Sequence, residues 1–202
     1  MRDPLGRMFP NLPRGVRVVL DWVFTIAGAI VIVLALKAWV VNPYRIPSSS
    51  MEPTLHCAKP APGCEANYSD RVLANRFIYH FRDPKRGEII VFKTPGTQPV
   101  CGTTQAGEVF VKRLIGLPGE HVSERDGYVY INNTLLKEPY IQASRRDHEP
   151  PREWTVPKGE YFFMGDNRSE SCDSRVWGSV PRKNIIGEVM FVYWPPDRIG
   201  FR

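Results

Sequence analysis

The sequence predicts a mainly β protein, an antiparallel β-sheet ectodomain behind one N-terminal transmembrane helix. Three observations predict it. Val18–Val41 is apolar apart from Asp21, Thr25 and Lys37, and no charge falls between Trp22 and Leu36. From about residue 70 onward, short runs rich in Val, Ile, Phe and Tyr recur at Arg71–Tyr79, Glu88–Phe92, Glu108–Ile115, Tyr128–Ile131, Tyr161–Met164 and Gly187–Trp194. Gly, Pro, Asn and Asp separate these runs, and no helical period longer than a turn or two stands out after residue 45.

A helix over Val18–Val41 would be about 36 Å long at ~1.5 Å per residue, enough to cross a bilayer core of ~30 Å. Its apolar character runs all the way round, unlike that of a core helix with one buried face. Asp21 and Lys37 lie near the ends, where a charged head reaches the interface. Ala27-Gly28-Ala29 matches the small-x-small pattern of a cleaved leader, but it sits inside the apolar run, and Trp39-Val40-Val41 continue that run downstream. The segment therefore reads as an uncleaved anchor. Arg2, Arg7, Arg14 and Arg17 precede it against one acid, Asp3. This bias puts the N-terminus in the cytoplasm and everything after Val41 outside a single-pass plasma membrane protein. The expected divisions are a tail at 1–17, an anchor at 18–41 and an extracytoplasmic β-rich domain at 42–202. Any small subdomain is drawn from 119–158.

The chain has 202 residues and a net charge of +6. Its Arg and Lys residues are scattered without a basic run, which favours a lipid partner and argues against nucleic acid. Cys57, Cys64, Cys101 and Cys172 all lie beyond the span, where disulfides are permitted. Cys57 and Cys64 bracket the turn-forming segment Ala58-Lys59-Pro60-Ala61-Pro62-Gly63, so a local bridge is one reading, although spacing alone leaves the connectivity open. Cys172 reads as a small packed residue. The cysteine spacings and the four histidines (56, 80, 121 and 148) form no metal-ligand pattern, so neither metal nor other cofactor is expected.

Asn42–Pro47 carries two prolines and should run extended. Asp126-Gly127 and Asn132-Asn133 read as tight hairpin turns. Thr94–Gln105 and Ser144–Glu153 read as exposed loops, the second carrying a charge cluster, Arg145–Pro150, expected to be a solvated surface.

One stretch suggests chemistry. Ser48-Ser49-Ser50 lies between prolines, as a polar turn would, but Ile46, Met51 and Leu55 flank it and should be buried. A serine hydroxyl is a poor nucleophile and needs a base. No histidine is a supported candidate, and His56 sits beside Cys57 at the mouth of a loop. A lysine can act if burial keeps its amine neutral. Strand alternation in Val109–Gly116 puts Lys112 on one face with Phe110 and Leu114, so its amine would lie between two apolar groups. On pattern alone, a surface lysine on a strand edge is the commoner outcome and stays open.

Three boxes carry a resemblance. Pro47–Leu55 is similar to the P-S-x-S-M-x-P-T-L box of bacterial type I signal peptidases, the Ser/Lys dyad serine proteases. Lys112–Glu120 resembles their K-R-x-x-G-x-P-G-[DE] box. Gly165–Arg168, Ser171, Asp173–Arg175, Trp177-Gly178 and Val180-Pro181 resemble a third. Asp70–Asn75 and Arg86–Glu88 resemble two strand segments, and the matches follow family order from about Tyr44 to Gly187.

The resemblance implies the signal peptidase type of β ectodomain and removal of signal peptides from exported preproteins after Ala-x-Ala sites. Ser50 would be the nucleophile and Lys112 the general base. Ser48 and the Ser50 N–H would hold the oxyanion, Ser171 would orient the Lys112 amine, and Asp173 and Arg175 would pair behind the site. Tyr44, Ile46, Leu55, Phe110 and Val111 would line pockets for small substrate residues. The substrate would bind as an extended strand. Ser69 replaces a glycine usual before Asp70, and Ser49 adds a neighbouring hydroxyl, with Met51 favouring Ser50 as the nucleophile. Two other classes are disfavoured. A self-cleaving Ser/Lys repressor is soluble, and a non-catalytic binding domain has no reason to keep Ser50, Lys112 and Ser171 together.

Overall fold

A computed structural model describes residues 13–39, 41–95 and 107–202. Most of the tail at 1–17, Val40, Cys101 and nearly all of the Thr94–Gln105 loop lie outside the described residues. The chain divides into two units, Met1–Val41 and Asn42–Arg202.

The first unit is α1, Arg14–Trp39. It contains Gly15–Leu34, a stretch long and apolar enough to cross a membrane. Val19, Trp22, Val31 and Leu34 are all exposed, so the apolar surface of α1 is not spent on a protein core. The helix starts ahead of Val18 because the Arg17 N–H already bonds the Pro13 carbonyl, and a proline is tolerated at a helix start.

The second unit is built from strands. In chain order they are β1 Val41–Arg45, β2 Arg71–Asn75, β3 Ile89–Lys93, β4 Val109–Gly116, β5 His121–Arg125, β6 Tyr128–Ile131, β7 Thr134–Leu135, β8 Arg152–Thr155, β9 Glu160–Met164, β10 Val180–Pro181, β11 Ile185–Trp194 and β12 Gly200–Phe201. An eight-stranded sheet has the order β1-β2-β11-β3-β4-β9-β10, with β12 on β11, and a four-stranded sheet has the order β7-β6-β5-β8. The neighbouring pairs with a resolved register are antiparallel. The mainly β expectation holds, and a short helix, α2 Ser174–Trp177, interrupts the second half.

Strand alternation distributes the core. In β3, Ile89 and Val91 enter one cluster with Ile46, Met51, Leu55 and Val72. Ile90 and Phe92 enter another with Leu114 and Phe163. Both faces of β3 are thus buried, which explains its unbroken apolar run. A third cluster, Ile115, Val122, Val129, Phe162 and Met164, joins the two sheets. Asp126-Gly127 and Asn132-Asn133 each have positive φ at both positions (52° and 75°, 49° and 65°), as a two-residue hairpin with right-handed twist requires.

Four readings are corrected. The Arg71–Tyr79 run stops at Asn75, whose Oδ1 accepts from the Phe77 and Ile78 N–H groups (2.9 and 3.2 Å) and turns the chain out of the sheet. The last long strand starts at Ile185, not Gly187. Arg152 and Glu153 belong to β8, paired with β5, and not to a loop. The charge cluster before them is not simply solvated, because Asp147 is buried and pairs with Arg152 and Arg175 at 2.5 and 2.6 Å.

Arg168 and Glu138 form an ion pair with both side chains essentially inaccessible (0% and 1% exposed). Arg168 Nη1 donates to Glu138 Oε2 at 3.2 Å, and its Nε donates to the Gly165 carbonyl at 3.0 Å. Arg168→Ala leaves Glu138 as a buried charge without its partner, which costs about 3–5 kcal/mol. The expected drop in melting temperature is roughly 6–20 °C at ~2–4 °C per kcal/mol for a chain of this size. Near-UV circular dichroism of the detergent-solubilised chain measures it.

Candidate active site

The serine segment is presented by a pinned turn. The Ile46 N–H donates to the Asp70 carbonyl at 3.0 Å, and Ile46 is buried. A 3₁₀ turn follows at Ser49–Met51, and Met51 and Leu55 anchor its far side in the core. Those apolar flanks separate this segment from a loose polar loop. Asn167 clamps the turn from outside. Its backbone N–H donates to the Ser50 carbonyl at 3.1 Å, and its Nδ2 donates to the Ser49 carbonyl at 3.2 Å. Ser49 Oγ is occupied separately, donating to Glu170 at 3.2 Å.

Ser50 Oγ is hydrogen-bonded to Lys112 Nζ. Ser48 Oγ lies 3.3 Å from Ser50 Oγ and is exposed. Lys112 is only 1% exposed, and its Nζ lies 5.5 Å from the centre of the Phe110 ring. Burial lowers the amine from its ordinary 10.5 to about 8. Asp173 and Asp166 oppose that fall, and Arg175 assists it. A useful neutral fraction, about a tenth at pH 7, follows from that value.

A framework of ion pairs surrounds the amine. Arg113, next to Lys112 on β4, donates to both oxygens of Asp166 at 2.8 and 2.6 Å. Asp166 also accepts from Thr54 Oγ1 on the serine segment. Arg175 donates Nε and Nη2 to Asp173, both at 2.9 Å. Burial alone would raise the Asp173 carboxyl, but Arg175 and the Gly165 N–H together hold it below the usual carboxylate range. Glu124 of β5 also faces Arg175, and burial raises its carboxyl above the ordinary value.

Ser171 Oγ is buried and makes no hydrogen bond to Lys112; its hydroxyl faces the Asp173 carboxylate and helps hold that group below the usual range. It lies beside Gly165, where an added Cβ would collide with both Ser171 Oγ and the Ser50 carbonyl. Close approach therefore demands glycine at 165. Cys172 is not a free packed residue but is disulfide-bonded and only partly buried. A second disulfide joins Cys57 to Cys64.

A cleft of about 280 Å³ opens over the pair. Tyr44, Ile46, Phe110 and Val111 line it with Ser48, Ser50 and Lys112. Leu55, expected there, is fully buried in the core, and Met51 takes its place in the lining. Two charged residues, Arg45 and Glu108, also line the cleft. Reading the sequence missed these two and the clamp from Asn167, although Asn167 stands inside the third box.

Glu52, His56 and Glu65 hold donor atoms within 4.8 Å of one another. Glu52 already accepts from His56 and from the Cys57 and Glu65 N–H groups, and Glu65 pairs with Arg145, so the group reads as a brace for the chain after the serine turn. The arrangement over Ser50 suits acyl transfer, with a hydroxyl held against an amine whose burial favours its basic form.

The family model described as signal peptidase, peptidase S26, matches residues 19–194. The chain is 38% identical over 202 residues to a signal peptidase I of Leptolyngbya laminosa, covering 98% of this chain and 91% of that one. It is 40% identical over 172 residues to a probable signal peptidase I-1 of Synechocystis sp., covering 85% and 81%. A crystal structure of a signal peptidase I from Enterococcus faecalis V583 is 34% identical, covers 54% of this chain and 97% of that one, and has a TM-score of 0.45.

The lowered amine has a consequence for stability. In the unfolded chain Lys112 keeps its proton to about 10.5, and in the fold only to about 8. Below pH 8 both states carry the charge, and burying it costs about 3 kcal/mol. Lys112→Met should therefore stabilise the fold by about that amount at pH 6–7. The gain should shrink as pH rises from about 8 to about 10.5, where the unfolded lysine also loses its proton. Paired melting curves of the two proteins across that range measure it.

Proposed function

Because this chain belongs to the signal peptidase family, peptidase S26, we propose that it cuts preproteins after small-x-small (Ala-x-Ala) sites with Ser50 as nucleophile and Lys112 as general base. As a signal peptidase I it removes signal peptides, and its apolar helix fits a membrane. The observation that carries the mechanism is the buried hydrogen bond between Ser50 Oγ and Lys112 Nζ at the floor of the cleft.

The neutral amine takes the Ser50 proton as Oγ adds to the scissile carbonyl carbon. The resulting oxyanion is held by the Ser50 N–H and the Ser48 hydroxyl. The Lys112 ammonium then gives its proton to the leaving amine, which frees the mature chain and leaves an ester on Ser50. Water, deprotonated by the again neutral Lys112, hydrolyses that ester and releases the signal peptide as a carboxylate. Ser171 orients the amine in this scheme. Its hydroxyl is buried beside Gly165, against the same point as the Ser50 carbonyl, which supports that role. Asp173 and Arg175 fix the segment carrying Ser171.

The substrate enters as a strand. β9 pairs with β4 only from Arg113 onward, so one edge of Val109–Lys112 has no strand partner among the described residues. β1 is an edge strand of the sheet, and its residues face those of β4 across the cleft. An extended peptide would satisfy both edges by backbone pairing. Tyr44, Ile46, Phe110 and Val111 then exclude bulky side chains from shallow pockets, leaving room for Ala. The arginines before the span set the N-terminus (1–17) in the cytoplasm and 42–202 on the far side of a single span at 18–41, with 119–158 as an accessory subdomain.

Ser50→Ala and Lys112→Ala should each lower cleavage of an Ala-x-Ala preprotein by at least about 10³-fold with the fold retained. Lys112→Arg should fail equally, since guanidinium accepts no proton. Wild-type-like cleavage by any of the three sinks the dyad.

The wild-type kcat/KM should rise about tenfold per pH unit below about 8 and level off above it, as Lys112 loses its proton. A profile flat from pH 5 to 8 contradicts the amine as base.

A further inference from the structure

Apolar pockets account for a size filter, but the cleft also carries charge that this filter does not use. Arg45 stands on β1 and Glu108 immediately before β4, and both line the same cleft as Ser50 and Lys112. Both are exposed. Neither makes an ion pair or a side-chain hydrogen bond among the described residues. Two opposite charges thus border one cleft without neutralising each other. Arg45 follows Tyr44, which is partly buried, and precedes Ile46, which is buried, so alternation turns it away from the core that holds its neighbours. Glu108 is fixed in position by its backbone, whose carbonyl accepts from the Thr94 N–H at 3.0 Å.

We propose that Glu108 and Arg45 form a charge filter that reads the substrate segment on either wall of the cleft, in addition to the small-residue pockets. The proposal rests on the strand-addition reading above. Glu108 precedes Lys112 by four residues, about 13 Å at ~3.3 Å per residue. A peptide paired along the free edge of β4 therefore brings to Glu108 a residue about four positions from the scissile bond. There a cationic side chain is favoured and an anionic one disfavoured. Arg45 imposes the opposite preference from the β1 wall. Each contact is solvent-exposed, so each should change affinity roughly two- to fivefold and weaken with salt.

The test uses the full chain in detergent with Ser50→Ala, so that peptides bind without being cut. Labelled Ala-x-Ala peptides carry Lys, Gln or Glu scanned one position at a time along the segment flanking the scissile bond, and fluorescence anisotropy reads their affinities. The expected result is a Lys-over-Glu preference at one position that inverts in Glu108→Lys, and a Glu-over-Lys preference at another that inverts in Arg45→Glu. Both should shrink when salt is raised to about 0.5 M. Lys:Glu affinity ratios within twofold of the parent at every position, in both charge-reversed proteins, overturn the filter while the Gln peptides still bind. If the Gln peptides fail to bind as well, strand addition falls and the filter falls with it.

Discussion

The site depends on one buried amine held against one hydroxyl. Lys112 is nearly inaccessible and lies beneath Phe110, so its charged form is costly, and that cost makes it a base near neutral pH. The same burial would be futile if the serine could drift. The turn is therefore gripped at both flanks, by Ile46 on one side and by Met51 and Leu55 on the other, and clamped by Asn167 at two carbonyls. Gly165 completes the fit, because any Cβ there would push into the Ser50 carbonyl and Ser171. Precision here comes from packing and backbone bonds and not from the reacting groups themselves.

A lysine that must give up its proton readily in a ring of ions has to be balanced. Asp166 and Asp173 would pull its proton back, and each is answered by its own guanidinium, Arg113 and Arg175. Those arginines are themselves poorly hydrated. The Arg113 guanidinium carbon lies over the Tyr140 ring, 3.8 Å from its centre, and Arg175 pairs with Glu124 and Asp147 as well as Asp173. Glu124 and Asp147, like Glu138 facing Arg168, come from the stretch that holds the small sheet. The small sheet is thus electrostatically part of the site's support and not an appendage. Carboxylates of that stretch satisfy Arg168 and Arg175, which the segment between β9 and β10 buries.

Much of this was legible. Short runs rich in Val, Ile, Phe and Tyr gave β3, β4, β6 and β9 nearly to the residue, and Asp-Gly and Asn-Asn marked turns because positive φ favours those residues. Ser50 and Lys112 stood out through the family boxes that hold them, since their apolar neighbours alone left a surface lysine open. β5 and β8 did not, since Ser123, Glu124, Arg152 and Glu153 look like surface residues. Glu124 is nonetheless buried, where it faces Arg175 some fifty residues away, and no local pattern carries that information. Leu55 illustrates the converse, because an apolar residue beside a reactive serine can equally anchor the turn from below as line the cleft above. The clamp from Asn167 was invisible for a simpler reason. One of its bonds comes from a backbone N–H that every residue except proline possesses, and the other, from Nδ2, ends on the Ser49 carbonyl, far away in sequence.

An open cleft between β1 and the free half of β4 creates a hazard that the fold must contain. Unpaired strand edges invite pairing with any extended chain, including another copy of the same protein. Charges at the edge are a common guard, since a partner strand that brings a like charge, or fails to solvate the one present, is repelled. Arg45 and Glu108 sit where such guards belong. A guard of mixed sign is selective and not merely repulsive, as it admits strands whose charges are placed in the complementary order. Protection of the edge and choice of substrate can then reside in the same two side chains. The apolar pockets judge how large a residue is, and the guards judge which extended chain is allowed to reach them.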